Sequence, residues 1–297
     1  MAKNENIELL TLNAIPNQGL GAIGVEAIIQ SQLSINGKVV LYRAINREPF
    51  APLVEIPFSV NQGQNNFSFL DTSAPIGEEV KYLMRYYFDP SDEAKNELMT
   101  EEVLLFTDDL ILIDKDALIR IGYNPKVTNF KKNVVDVITP TLGGTYPQVR
   151  RNGQQGYYSF NISGLISIQI EEVDSLSCES IKLYDSCSSG KADTNHSVFV
   201  FESERLDRIN ELFLQEKISR EEYTILLEKF YRDKVFDFLY SPSTKLFKSL
   251  QEGSFFVYLS NITLTPEESA GRLYYSFSCQ ATEVKPNKPE TYEEYWR

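Results

Sequence analysis

Along this chain apolar and polar residues alternate far more often with a period of two than with the helical period, and the clearest case is Tyr158–Ile170. Even positions there read Tyr158, Phe160, Ile162, Ile166, Ile168 and Ile170, and the odd ones are mostly polar, from Ser159 to Gln169. Successive side chains point to opposite faces of a strand, so this pattern predicts one long strand with an apolar face and a wet face. Gly164, at its midpoint, predicts a bend or bulge that lets one strand serve two sheets or turn a barrel corner. Shorter runs of the same type precede it: Leu9–Leu12, Val25–Ser34 running into a turn at Asn36-Gly37, Val39–Ile45, Leu53–Val60, Asn66–Leu70 and Lys81–Phe88. Their regular spacing, with polar turns between, predicts a small β-sandwich. Strands are also expected at Val127–Val137, Ser254–Asn261 and Arg272–Val284.

Two stretches switch to the helical period. Leu206, Ile209 and Phe213 fall on one face of a helix over 202–215. A second helix is announced by Ser219 with Glu222 three residues on, the two halves of a capping box. Its stripe is Tyr223, Leu226, Leu227, Phe230, Val235, Phe238 and Leu239, expected to pack on a sheet of the same chain, and Pro242 stops it. The order of elements therefore predicts a mainly β protein with an α+β C-terminal part. Three segments are expected: a β-sandwich over 1–109, an α+β domain over 110–284 with a sandwich or barrel core flanked by one or two helices, and an extended tail over 285–297. Leu110–Gly122 is too apolar for a free linker and is expected to pair with or pack on the second domain.

Charge sharpens this division. Of a net charge of −13, residues 1–110 carry −9, with 7 Lys and Arg against 16 Asp and Glu. So acidic a chain is not built to coat nucleic acid, which needs a positive surface. No apolar run approaches the ~18 residues of a membrane-spanning helix, and the first residues lack a signal-peptide core, so synthesis in a cytoplasm is expected.

Candidate chemistry is sparse. Gly19-Leu-Gly21-Ala-Ile-Gly24 has the spacing of a dinucleotide fingerprint, but a strand pattern follows where a helix is required, so a β-turn is expected. His196 is the only histidine; it lies in the low-complexity stretch Asp185–Ser197, with no G-x-S-x-G elbow to support a triad. Cys279 falls on the apolar face of its strand and reads as a small buried hydrophobe. Cys178 and Cys187 lack the spacing of a metal clip. Asp89–Glu97 reads as a solvated acidic loop. No catalytic, cofactor-binding or metal-binding residue is assigned, and no cofactor is expected. Lys131, Lys132, Arg150 and Arg151 are the densest cationic pairs, read either as contacts for an acidic neighbouring protein surface or as a solvated turn.

Two blocks carry a resemblance. The run Gly143-Gly-Thr-Tyr-Pro147 with Val149-Arg-Arg-Asn-Gly153, continuing into Tyr157-Tyr-Ser-Phe-Asn-Ile-Ser-Gly-Leu-Ile-Ser167, resembles virion proteins of the tail and baseplate of tailed bacteriophages. So does Glu228–Glu283, with its helix, then Lys245–Pro266, then Gly271–Val284. In the first segment, Val40–Ile45, Phe67–Gly77 and Val80–Tyr87 resemble a fibronectin type III module, although the usual early tryptophan is absent, Trp296 being the only one. The resemblance implies a tail-tube-like second domain and a non-enzymatic structural role in the tail (baseplate, hub or ring). It also implies symmetric assembly with copies of itself and with neighbouring tail proteins or fibres, and a place in the virion. The expected partner interface comprises Tyr146, Arg150 and Arg151 near the turn and Tyr292, Tyr295 and Trp296 in the tail, since Arg, Tyr and Trp anchor interfaces most often. The competing expectation is a tail-associated protein that binds or degrades carbohydrate, its carboxylate pair being a tertiary feature.

Overall fold

A computed structural model describes residues 7–87, 96–139, 148–168, 197–201, 203–267 and 274–284. The protein is mainly β, with its helices in the C-terminal part. The first half is a β-sandwich. One sheet has the order β1-β2-β5, from β1 (Ile7–Asn17), β2 (Ala22–Ser31) and β5 (Gly63–Asp71). The other has the order β4-β3-β6-β7, from β3 (Ile35–Ile45), β4 (Ala51–Val60), β6 (Glu79–Tyr87) and β7 (Asn96–Met99), with β8 (Val103–Leu104) also on β6. Alternation fixes which residues face inward: Val25, Ala27 and Ile29 on β2, and Val80, Tyr82, Met84 and Tyr86 on β6, are buried. The expected turn at Asn36-Gly37 is instead inside β3. Gly37 is there because a side chain would run into Tyr86, whose hydroxyl donates to the Phe58 carbonyl at 3.1 Å.

Among the described residues the second half is one eight-stranded antiparallel sheet. Its strands are β9 (Leu110–Ile113), β10 (Ala117–Ile121), β11 (Tyr123–Thr139), β12 (Gln148–Ser167), β13 (Val198–Val200), β14 (Lys245–Ser249), β15 (Gly253–Pro266) and β16 (Tyr274–Glu283). They run in the order β11-β12-β16-β15-β14-β9-β10-β13. The sheet curls back on itself: the Ser197 amide, just before β13, donates to the Ser167 carbonyl at the end of β12 at 3.3 Å. On β12 the even positions do face inward, with Phe160, Ile162 and Ile166 almost wholly buried. Gly164 serves the curl differently from expectation. The register slip lies opposite it on β11, between Tyr123 and Lys126, and Gly164 itself allows close approach, because a Cβ there would meet Ile121.

Helices α1 (Glu204–Leu214) and α2 (Arg220–Tyr240) cover the sheet. The capping box forms as read: the Glu222 amide donates to Ser219 Oγ at 3.3 Å and the Ser219 amide to Glu222 Oε2 at 2.8 Å. Leu227, Phe230, Val235, Phe238 and Leu239 are buried.

The stretch expected to join the halves is the part that both cores share. On β9, Ile111 and Ile113 belong to the sandwich core while Leu110 and Leu112 belong to the core under α2. On β14, Leu246 faces the sandwich and Phe247 the helix side. Three adjacent strands, β10, β9 and β14, are thus buried on both faces, which is why Leu110–Ile113 and Ala117–Ile119 read as unbroken apolar runs without alternation.

Candidate functional site

The residues expected at a partner interface are only partly placed. Tyr146 lies in 140–147, and Tyr292, Tyr295 and Trp296 in 285–297; all four are outside the described residues, as are His196, Cys178 and Cys187. Arg150 and Arg151 are on β12, at register positions opposite Val137 and Asp136 of β11. Lys131 and Lys132 pair opposite Ser159 and Tyr158, so all four cations belong to one hairpin.

That hairpin is longer than the sheet that carries it. β12 pairs with β16 only from Ser159 to Ser167. Beyond that point, residues 132–139 and 148–158 pair with each other, and among the described residues neither has a second strand neighbour. The base of this ribbon is firmly held. Phe130 stacks on Tyr158 and on Phe160, with centroids 5.1 and 5.2 Å apart, and Asn133 Nδ2 donates to Ser159 Oγ at 2.7 Å. The outer part is a two-stranded ribbon with two open edges, and such a ribbon is marginal in water on its own.

A second feature was not foreseen from the sequence: a charged seam sealed between the sandwich and the curled sheet. Lys248 on β14 is fully buried and donates from Nζ to the carbonyls of Gly21 and of Thr72, the latter at 3.0 Å. Arg120 on β10 donates to the Gly19 carbonyl at 3.4 Å and lies 3.4 Å from Asp109. The glycine-rich turn therefore offers carbonyl oxygens to two cations, the reverse of a phosphate cradle, which presents N–H groups. Gly21, at φ +56°, abuts Ile111 across the seam, so the turn is a packing element.

Next to Lys248 sits Asp71, on the end of β5. It accepts from Arg43 at 2.7 Å, from the Tyr82 hydroxyl at 2.8 Å, and from the Ser73 hydroxyl and amide at 2.7 and 3.0 Å. Burial pushes the Asp71 carboxyl up, but the Arg43 charge and these hydrogen bonds together hold it below the usual carboxylate range. Burial and the Asp71 charge push the Tyr82 phenol well above its ordinary value. Burial pushes the Lys248 amine down to about 7, against the opposing pull of Asp71. Asp71, Tyr82 and Lys248 are nearly or wholly inaccessible, so no substrate reaches them; their chemistry is to fasten the two halves. On the opposite face of β14, Lys245 lies 3.4 Å from Asp114 and 4.9 Å from the Phe238 ring centroid.

Among the described residues no group of three or more His, Cys, Asp or Glu converges on a metal-sized site, and no helix is long and apolar enough to cross a membrane. Cys279 is buried, and burial pushes its thiol up to about 12. Comparison with family models, with curated proteins and with solved structures gives no match.

Proposed function

We propose that this chain is a non-enzymatic structural component of a bacteriophage tail, in the baseplate, hub or tail ring, that assembles symmetrically with copies of itself and connects neighbouring tail proteins or fibres. The observation that carries the reading is the projecting ribbon of β11 and β12. Its two open edges are ready acceptors for strands of an adjacent subunit, the mode of recognition in which main-chain hydrogen bonds supply affinity. Its cations, Lys132, Arg150 and Arg151, with Lys131 at its base, suit a neighbour as acidic as this chain's own first 110 residues. A contact between two different surfaces of identical subunits is head-to-tail, and closes into a ring when the rotation permits.

Two further points support the reading. The blocks that resemble tail and baseplate proteins fall on β12, β14, β15, β16 and α2, and β12, β16, β15 and β14 are successive neighbours in one sheet. The sandwich of two sheets ordered β1-β2-β5 and β4-β3-β6-β7 supports reading the first segment as a fibronectin type III-like module, a type of domain suited to presenting surfaces rather than chemistry. On this reading the protein is made in the bacterial host cytoplasm and ends in the virion.

Shortening the ribbon tests it. Asn133 and Tyr157 are paired across the hairpin, so residues 134–156 can be replaced by Asn-Gly, a dipeptide that closes hairpins. The shortened chain is expected to fold, by circular dichroism, and to remain monomeric in light scattering where the full chain forms a closed oligomer. Assembly of the shortened chain like the parent, or a parent that stays monomeric at every accessible concentration, would overturn the proposal.

A further inference from the structure

The outer face of α2 carries Ile225, Lys229, Arg232, Phe236 and Tyr240, spaced by four, three, four and four residues and so lying on one stripe. Ile225 is 52%, Phe236 39% and Tyr240 56% exposed, although the same helix buries five apolar residues on its other side. The Phe236 and Tyr240 rings stack, 6.1 Å between centroids and 9° between planes. Exposed aromatic rings beside Arg form the kind of surface that anchors a binding partner.

We propose that the chain's own C-terminal segment, residues 290–297, covers this stripe. The argument begins where the segment leaves the fold. β16 ends at Glu283, opposite Val257 on β15, which is opposite Lys245 on β14, whose ammonium lies over the ring of Phe238 on α2. Two strand spacings of about 4.8 Å each therefore separate the exit point from the strand that touches the last turn of α2. Residues 285–297 can span about 43 Å when extended, at about 3.3 Å per residue. The stripe from Ile225 to Tyr240 is about 22 Å long at the helical rise. Lys285–Pro289, stiffened by Pro286 and Pro289, then serves as a spacer, and the eight residues after it are long enough to run along the stripe.

The chemistry of the two surfaces is complementary. The segment reads Tyr292-Glu293-Glu294-Tyr295-Trp296, with two carboxylates flanked by rings. The stripe places Lys229 and Arg232 between Ile225 and the Phe236–Tyr240 pair. Carboxylates meet cations and rings meet apolar ends. The assignment is independent of the assembly proposed above and places Trp296 on its own chain rather than on a neighbour.

Trp296 is the only tryptophan, so its fluorescence reports this segment alone. In the full-length protein, diluted until light scattering shows monomers, its emission should lie to the blue of free indole in water and resist quenching by acrylamide. Phe236→Ser with Tyr240→Ser should return the emission to that of free indole. Lys229→Glu with Arg232→Glu, at exposed positions that leave folding intact, should do the same, and adding Glu293→Lys with Glu294→Lys should restore the blue shift. Water-like emission in the monomer, or emission that neither pair of substitutions changes, would overturn the proposal. A blue shift that appears only where chains associate would also overturn it, by placing the segment on a neighbour and leaving the assembly reading intact.

Discussion

Replacing Lys248 with Met isolates what the buried amine contributes to the seam. Met has nearly the same length and fills the same space, so the substitution removes the charge and the two hydrogen bonds to Gly21 and Thr72 but little packing. Leaving two buried carbonyls without their donor costs about 1–3 kcal/mol each. Opposing this is the cost of charging Lys248 inside the fold. Its folded pKa is about 7, against about 10.4 in the unfolded chain. Between those values the unfolded chain holds a proton that the folded one has released, so stability climbs as pH rises, by up to about 1.4 kcal/mol per pH unit. The contribution is complete above the unfolded pKa and lost as pH falls to 7; lower still, both states are protonated and it is flat. A neutral amine has two N–H groups, enough for both carbonyls. The margin of the parent over Lys248→Met should therefore be about 2–3 kcal/mol larger at pH 9 than at pH 7, from the same slope, and should still be rising at pH 9 because the unfolded lysine is not yet deprotonated there. Urea midpoints of both proteins at pH 6, 7, 8 and 9, at fixed ionic strength and with equal m-values, measure this difference directly. A gap independent of pH over that range would show that Asp71 keeps the amine charged throughout and would refute the reasoning.

Asp71→Asn should destabilise the protein by about 1.5–3 kcal/mol at neutral pH, because it removes the charge from a wholly buried acceptor to which the partly exposed Arg43 donates. The parent should also lose stability on acidification through a pH below the usual carboxylate range, where Asp71 finally protonates, and acid titrations of Asp71→Asn should lack that limb. Ile166→Asp should prevent folding, since an unpaired carboxylate at a fully buried position costs several kcal/mol; a soluble variant that melts like the parent would show that the even positions of β12 do not face the core. Gly21→Ala forces a side chain to φ +56° and into Ile111, and should lower the urea midpoint by the equivalent of about 1 kcal/mol or more.

The sequence disclosed those parts of the fold that depend on local periodicity. Alternation located the long strands β1 to β6, β11, β12, β15 and β16 but not the short β7, β8, β13 and β14, the helical period located α1 and α2, and Ser219 with Glu222 marked the start of α2. It misplaced Asn36-Gly37 because a turn dipeptide and a strand that must admit the Tyr86 ring both call for a small residue. Gly164 likewise marked a special backbone position without saying that Ile121 would occupy the space. The charged seam was not legible: Lys248 sits in Lys245-Leu-Phe-Lys-Ser249 as a solvated lysine would, and its acceptors are carbonyls far away in sequence, which leave no trace in residue type. The double burial of Leu110–Ile113 was foreshadowed by its unbroken apolarity. That one face would complete the sandwich core is a tertiary fact. The cationic pairs Lys131, Lys132, Arg150 and Arg151 were visible as pairs; their place on or at the base of a ribbon that outruns its sheet depends on where β16 stops pairing.

Hydrogen exchange along that ribbon tests the central claim most directly. Amides of residues 132–139 and 148–158 on the open edges should exchange rapidly in the isolated chain, while those between Ser159 and Ser167, flanked by β11 and β16, stay protected. In the assembled oligomer, read by mass spectrometry of the same peptides, the ribbon amides should become as slow as those of the sheet. Ribbon amides that exchange equally fast before and after assembly would contradict strand pairing between subunits.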